Sequence, residues 1–258
     1  MIRAMAHRVI TQSNLLIVTK MREGKELKQK ALNYLKQNFL RNVGLIEIIQ
    51  RGTSKIIETS ESGVFMQDTV SEGLFLSCDS IEITKEWLKK HEHEYEYGLF
   101  EVCQEEIAKM IKDTYQLETI MECKQAVYTG KKIPYNYQLT FQEPDEQQMK
   151  IISANYHKIT EKELKMIRNF HNLFVGMYEN EMVGFIGSHL EGSVGLLEIL
   201  PQYRKRGFGT ELEIFMINYM LDKNRIPYGH VESWNEKSEG LQRKLGMDFA
   251  DQMIYWIF

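Results

Sequence analysis

The sequence predicts an α/β fold in two halves, and three observations carry that reading. Segments with strand spacing alternate with segments of helical spacing along most of the chain. A basic glycine turn, Arg204-Lys205-Arg206-Gly207-Phe208-Gly209, joins a short apolar strand to a long amphipathic helix. Gly130-Lys131-Lys132-Ile133-Pro134, short, basic and holding one of only 4 prolines, divides residues 1–134 from 135–258.

In the first half, Leu27, Ala31, Leu32, Leu35, Phe39 and Leu40 share one helical face, with Gly44 just beyond as a stop. A short apolar piece, Leu45 to Ile49, ends at Gly52. Lys55 to Thr59, Val64 to Gln67 and Leu74 to Cys78 read as strands, separated by the turn compositions Ser60-Glu61-Ser62-Gly63 and Ser71-Glu72-Gly73. A helix over Thr84 to Lys90, a strand over Gly98 to Val102, a helix around Ile107, Met110 and Ile111, and a strand over Thr119 to Thr129 complete it.

The second half opens with a strand at Gln138 to Gln142. Pro144 and Asp145 start a helix to about Tyr156, and Thr160-Glu161-Lys162-Glu163 is a capping box for another, ending near Asn169. Leu173 to Tyr178 and Met182 to His189 form a hairpin around Glu179-Asn180-Glu181. Leu196 to Leu200 is a mostly buried strand interrupted by Glu198 and closed by Pro201. After the glycine turn, Leu212, Phe215, Met216, Tyr219 and Met220 repeat at helical spacing. Pro227 to Trp234 is a strand, Asn235 starts a helix that Gly246 stops, and Gln252 to Phe258 is a last apolar strand, an inner strand or a dimer edge.

With 43% apolar and 26% charged residues, the 258-residue chain is long enough for one large or two small cores. A net charge of −4 argues against non-specific nucleic-acid binding. Cys78, Cys103 and Cys123 lie far apart without C-x-x-C spacing, so no disulfide framework or metal site is expected and a reducing cytoplasm fits. His91-Glu92-His93-Glu94, both His on one side if extended, lacks an evident third ligand and reads as a solvated charge run. No apolar run approaches membrane-spanning length, and no membrane partner is expected. The first 22 residues hold Arg3, Arg8, Lys20 and Arg22 and no acid, a faint likeness to a transit peptide, but a frayed or strand-forming start fits their short apolar run better.

Strand, basic glycine turn and helix together offer backbone N–H groups and a positive helix end to phosphate. The spacing is not G-x-x-x-x-G-K-S/T, because no Lys follows the second glycine, nor G-x-G-x-x-G. It resembles the pyrophosphate loop of the GNAT superfamily of N-acetyltransferases, Q/R-x-x-G-x-G/A, filled by Arg204, Gly207 and Gly209. A second stretch, Val231 to Met247, resembles that family's strand–helix signature V-x-x-x-N-x-x-A/S-x-x-L-Y-x-K-x-G-F/M. The element order of the second half is also the family's, and the chain resembles the glycine N-acyltransferase-like (FR-type) branch, which carries an extra half in front.

The resemblance implies a GNAT fold, a mixed and mostly antiparallel sheet flanked by helices. It implies acetyl-CoA as co-substrate, no metal, and a small-molecule or amino-acid primary amine as acceptor, attacked directly within a ternary complex. Arg204, Lys205, Arg206, Gly207, Phe208, Gly209 and Thr210 would hold the pyrophosphate. Asn235 and Ser238 match positions that touch the coenzyme arm. The strand before the turn should splay from the next, aiming the N–H of Ile199 or Leu200 at the thioester oxygen. Glu198 is the expected general base, its burial raising its basicity, with Glu232 and His230 in reserve. Where the family has a proton-donating Tyr, this chain has Gln242; Tyr203 or Tyr255 would then serve, or the thiolate leaves unaided, or catalysis is impaired. The alternative reading is an acyl-CoA-binding sensor with little or no turnover. The first half repeats much of the same order, yet Ser77-Cys78-Asp79-Ser80-Ile81 has neither glycine nor cation after the third strand. It is a degenerate GNAT-like repeat or an unrelated α/β domain. The acceptor pocket should lie between it and the first two helices of the second half.

Overall fold

The computed structural model describes residues 24–258; the basic N-terminal segment lies outside them. Helix α1 (24–35) turns Ala31, Tyr34 and Leu35 into the core, and its last turn tightens into a 3-10 turn at Lys36–Asn38. Phe39 and Leu40 therefore follow the helix instead of continuing its face. Gly44 does not stop a helix; it sits in the first turn of α2 (Val43–Gln50), where Val43 to Ile49 are all buried. The apolar piece at Leu45 is thus a helix surrounded by protein, which periodicity alone does not distinguish from a strand.

The remaining elements follow the turn and cap chemistry. The first half continues as β1 (Ser54–Ser60), β2 (Gly63–Asp68), β3 (Leu74–Cys78), α3 (Ile81–His91), β4 (Phe100–Val102), α4 (Glu105–Tyr115) and β5 (Ile120–Val127). The second comprises β6 (Thr140–Gln142), α5 (Glu146–Asn155), α6 (Glu161–Asn169), β7 (Leu173–Tyr178), β8 (Glu181–Ser188), β9 (Val194–Ile199), α7 (Phe208–Asp222), β10 (Tyr228–Glu232), α8 (Glu236–Lys244) and β11 (Asp248–Ile257). Capping boxes start α5 at Asp145 and α6 at Thr160, each cap stabilising its helix by roughly 1 kcal/mol. Glu179 and Asn180 are both left-handed, the twist a tight hairpin requires.

All eleven strands form one sheet in the order β1-β2-β3-β4-β11-β5-β10-β9-β8-β7-β6. The last strand of each half lies on the far side of the other's: β5 pairs with β10, and β11 pairs with β4. Because β11 is flanked by β4 and β5, it has no free edge to offer a second copy. Each half holds one parallel pair, and the two differ. β3 and β4 are zipped at Leu74↔Phe100, Phe75↔Glu101 and Leu76↔Val102, whereas β9 and β10 meet only at Gly229↔Val194.

Helices α1 and α2 cover one face of the first half, α3 and α4 the other. In the second half α5 and α6 share the face of α1 and α2, and α7 takes the opposite one. A polar chain crosses the buried seam. Trp256 Nε1 donates to His230 Nδ1 at 3.1 Å, so His230 Nε2 carries the proton and donates to Gln125 Oε1 at 3.0 Å. Gln125 Nε2 in turn donates to the carbonyls of Leu40 and Arg41. Burial, with His189 nearby, lowers the His230 pKa to about 3. Glu101 lies 3.9 Å away, with neither oxygen hydrogen-bonded; burial and the charge of Glu191 hold its carboxyl well above the usual range.

The first half also grips the loop before β9. Arg51 donates Nη1 to the Leu190 carbonyl at 2.9 Å while its Nη2 pairs with buried Asp68 at 2.8 Å. Buried Glu47 accepts from Arg225 Nε at 2.7 Å and Ile226 N at 3.2 Å, and the Tyr228 hydroxyl donates to the Glu191 carbonyl.

His230 makes the fold pH-sensitive in a defined direction. Unfolded, the imidazole titrates near 6.5; folded, it stays neutral down to about 3, so the unfolded state takes up the extra proton between those values and stability falls with the pH. In His230→Gln that loss is absent. The unfolding free energies of the two proteins, from urea titrations, should differ by about 2–3 kcal/mol more in the variant's favour at pH 4.5 than at pH 7.5.

Candidate active site

Strand β9 carries an extra residue. Phe185 pairs with Glu198 and Gly187 with Gly195, so three steps on β9 face two on β8, and Leu196 absorbs the difference at φ 52. A left-handed Leu costs about 1–3 kcal/mol; its side chain, 1% exposed, is locked in the α5–α6 core. The Leu200 N–H donates to the Val183 carbonyl at 2.9 Å and is not available to a thioester. By antiparallel alternation its neighbour, the Ile199 N–H, faces away from β8 toward the gap with β10.

Beyond Pro201 the chain makes a 3-10 turn and reaches Gly207, left-handed at φ 87, the N-cap of α7. No side chain caps this helix; the Thr210 N–H donates back to the Gly207 carbonyl at 2.9 Å, and the amides of Phe208 and Gly209 remain directed out of the turn. A Cβ on Gly207 would meet nothing within 4 Å, and one on Gly209 only the Ile199 Cγ1 at 3.7 Å. Packing therefore does not require glycine at 209, and leaves that backbone open to close approach by a ligand.

The cations around the turn are partly engaged. Arg204 donates to the Ile199 carbonyl at 3.0 Å and pairs with Glu198 at 2.7 Å. Arg206 lies over the rings of Tyr178 and Phe208, and Lys205 is exposed. Glu198 was expected to be buried; its side chain is 31% exposed and holds a guanidinium. It shares the face of Leu200 but does not line the cavity described next. The Asn235 side chain caps α8 by accepting from Ser238 N at 3.1 Å.

A cavity of about 490 Å³ opens on the α5–α6 face beside the gap. Tyr156, Lys158, Ile159, Glu163 and Ile167 wall it from the α5–α6 side, and Ser71, Leu99, Met121 and Cys123 from the first half. His189, Glu191, Ser193, Val194 and Gly195 line it at the start of β9, His230 and Glu232 on β10, Trp256 and Phe258 near β11. Of the reserve bases, Glu232 faces this space, paired with Lys158. His230 faces it too, but both ring nitrogens are occupied in the seam, which leaves no atom to take a proton. His189, Glu191 and Tyr156 carry no motif and were not anticipated; their convergence comes from the bulge and from the grip of the first half on their loop. Burial raises Tyr156 to about 12, a hydrogen bond with the Leu196 backbone opposing the rise.

Gln242 does not stand in for a tyrosine. It is buried and donates Nε2 to Glu213 at 2.8 Å on α7. Burial raises Glu213 to about 7, the Gln242 bond opposing. Tyr255 packs in the α3–α4 core, away from the cavity, and Tyr203 is half-buried beside Leu200 and Phe208. The His91 segment is not extended: His91 ends α3, and its ring nitrogens meet Glu58 at 2.8 Å and Glu94 at 3.0 Å. Among the described residues no group of three or more His, Cys, Asp or Glu is arranged for a metal, and no helix is long and apolar enough to cross a membrane. The three cysteines are free and buried.

The model of the acetyltransferase (GNAT) family matches residues 134–247. The second half is a GNAT acetyltransferase domain. Solved structures extend the fold likeness over nearly the whole chain. A Drosophila protein aligns over 92% of this chain and 96% of its own at 11% identity and TM-score 0.67. A GCN5-related N-acetyltransferase from Kribbella flavida covers 85% and 95% at 9% identity and TM-score 0.54. A GCN5-related N-acetyltransferase-like protein from Streptococcus suis covers 88% and 99% at 10% identity and TM-score 0.51. No curated protein sequence matches the chain. Within this domain the bulged β9, the parted β10 and the open N-terminus of α7 lie together.

The buried Glu213 yields a second pH test, opposite in sign to that of His230. Its folded pKa is raised above the unfolded 4.5, so its contribution is present below pH 4.5 and lost as the pH climbs through about 7. Relative to wild type, Glu213→Gln should gain about 2–3 kcal/mol between pH 4.5 and pH 8, read by chemical denaturation.

Proposed function

We propose that the GNAT domain transfers an acetyl group from acetyl-CoA to the primary amine of a small molecule, by direct attack in a ternary complex. The parting of β9 from β10 beyond Gly229↔Val194 carries the reading, since it exposes backbone donors between an uncapped helix end and the cavity. The pyrophosphate would rest on the amides of Gly207, Phe208 and Gly209, with Arg204, Lys205 and Arg206 around it; the Thr210 amide is held by the Gly207 carbonyl. Asn235 and Ser238 flank the coenzyme arm. The amine nitrogen attacks the thioester carbonyl carbon from the cavity, and the Ile199 N–H supports the oxyanion. The intermediate collapses with formation of the C–N bond and cleavage of the C–S bond. The ammonium proton passes to a carboxylate and the thiolate takes a proton from solvent.

Two carboxylates compete for that proton. Glu232 faces the cavity, while Glu198, the strand residue singled out in the sequence, is tied to Arg204 outside it. The geometry favours Glu232. The engagement of Gln242 by Glu213 supports a second reading, an acyl-CoA sensor without a dedicated proton donor. A cytoplasmic setting fits the free cysteines.

Gly209→Ala should leave the melting temperature unchanged or raised, because alanine is the better helix former by about 1 kcal/mol. Its affinity for coenzyme A, measured by calorimetry, should fall at least about tenfold as the methyl crowds the phosphate; undiminished binding would overturn the site. Thiol release across an amine panel should fall about 10²-fold or more in Glu232→Gln and less in Glu198→Gln. The reverse order makes Glu198 the base, and equal near-zero release from wild type and both variants supports the sensor.

A further inference from the structure

The cavity's charges point to the kind of acceptor, an inference that rests on the acyl-transfer reading. Three carboxylates line it: Glu163, Glu191 and Glu232. Among the described residues the one Lys or Arg in the lining, Lys158, is already paired with Glu232. Glu191 is only 7% exposed and forms no ion pair among the described residues. Its one side-chain partner among the described residues is the Ser193 hydroxyl, which donates to Oε1. The arginines closest to its loop do not compensate: Arg51 is committed to Asp68 and the Leu190 carbonyl, Arg225 to Glu47 and the Gly192 carbonyl.

A buried carboxylate without a counter-ion is costly, and a bound ammonium would offset that cost. A second carboxylate, carried in on the acceptor, would find no free guanidinium or ammonium among the described lining residues and would sit among like charges. The same cavity is lined by Leu99, Met121, Trp256 and Phe258, apolar surface with two aromatic rings. We propose that the acceptor is an amine with an apolar or aromatic body and no carboxylate, its ammonium drawn in by Glu191. An amino acid, the other acceptor class compatible with the fold, is disfavoured by the same charges.

Matched pairs test this in the wild-type protein. With acetyl-CoA present, 2-phenylethylamine and phenylalanine differ only in the carboxylate. The expected result is at least a tenfold higher kcat/KM for the amine without it. Glu191→Gln should raise KM for 2-phenylethylamine at least tenfold and narrow the preference between the two, with little change in coenzyme A affinity. Equal or better use of phenylalanine by wild type, or an unchanged KM in the variant, would overturn the proposal. If coenzyme A binds but no acetyl transfer occurs, the transfer reading fails. Calorimetric titration of the same two compounds into the coenzyme complex then decides the acceptor class: preferential binding of 2-phenylethylamine upholds it, and equal, reversed or absent binding overturns it.

Discussion

The structure depends on one pair of parallel strands that fail to stay together. Parallel strands normally zip through evenly spaced hydrogen bonds, as β3 and β4 do. β9 leaves β10 after a single register pair because its other edge is pulled into a bulge against β8. A left-handed Leu196 supplies the extra residue, and burial of its side chain offsets the strain. The gap, the outward Ile199 amide and the mouth of the cavity beside them follow from that departure.

The two halves show how little separates an open framework from a closed one. Both have an antiparallel meander followed by a parallel neighbour. In the first, the β3–α3 junction runs through Ser77-Cys78-Asp79-Ser80, and Ser80 caps α3 with its own hydroxyl. The helix end that α7 leaves open through Gly207 is thereby satisfied internally. The first half contributes instead as a wall and a clamp, through Ser71, Leu99, Met121 and Cys123 at the cavity and Arg51 at the loop.

Local chemistry was legible and long-range pairing was not. Thr160-Glu163 marks a helix start within a few residues, and Glu179-Asn180 marks a hairpin, because each signal is satisfied by its own neighbours. The glycine turn was readable for the same reason. Nothing in Gln252 to Phe258 announces that this strand lies between β4 and β5, since its apolar character suits any inner position. The Leu45 to Ile49 helix was ambiguous because it is buried on every side. Glu198 looked like a buried base since it interrupts an apolar strand, but Arg204, six residues on, curls back to it. His189 and Glu191 could not be found from spacing; the loop holding them takes its shape from residues far away in the chain.

The exchanged strands also bear on how the molecule is made. During synthesis β4 emerges with one edge bare, and the strand that covers it, β11, is translated only after the other strands and helices of the second half. Until then β4 is a template for whatever extended segment comes by, and closure of so distant a pair is slow.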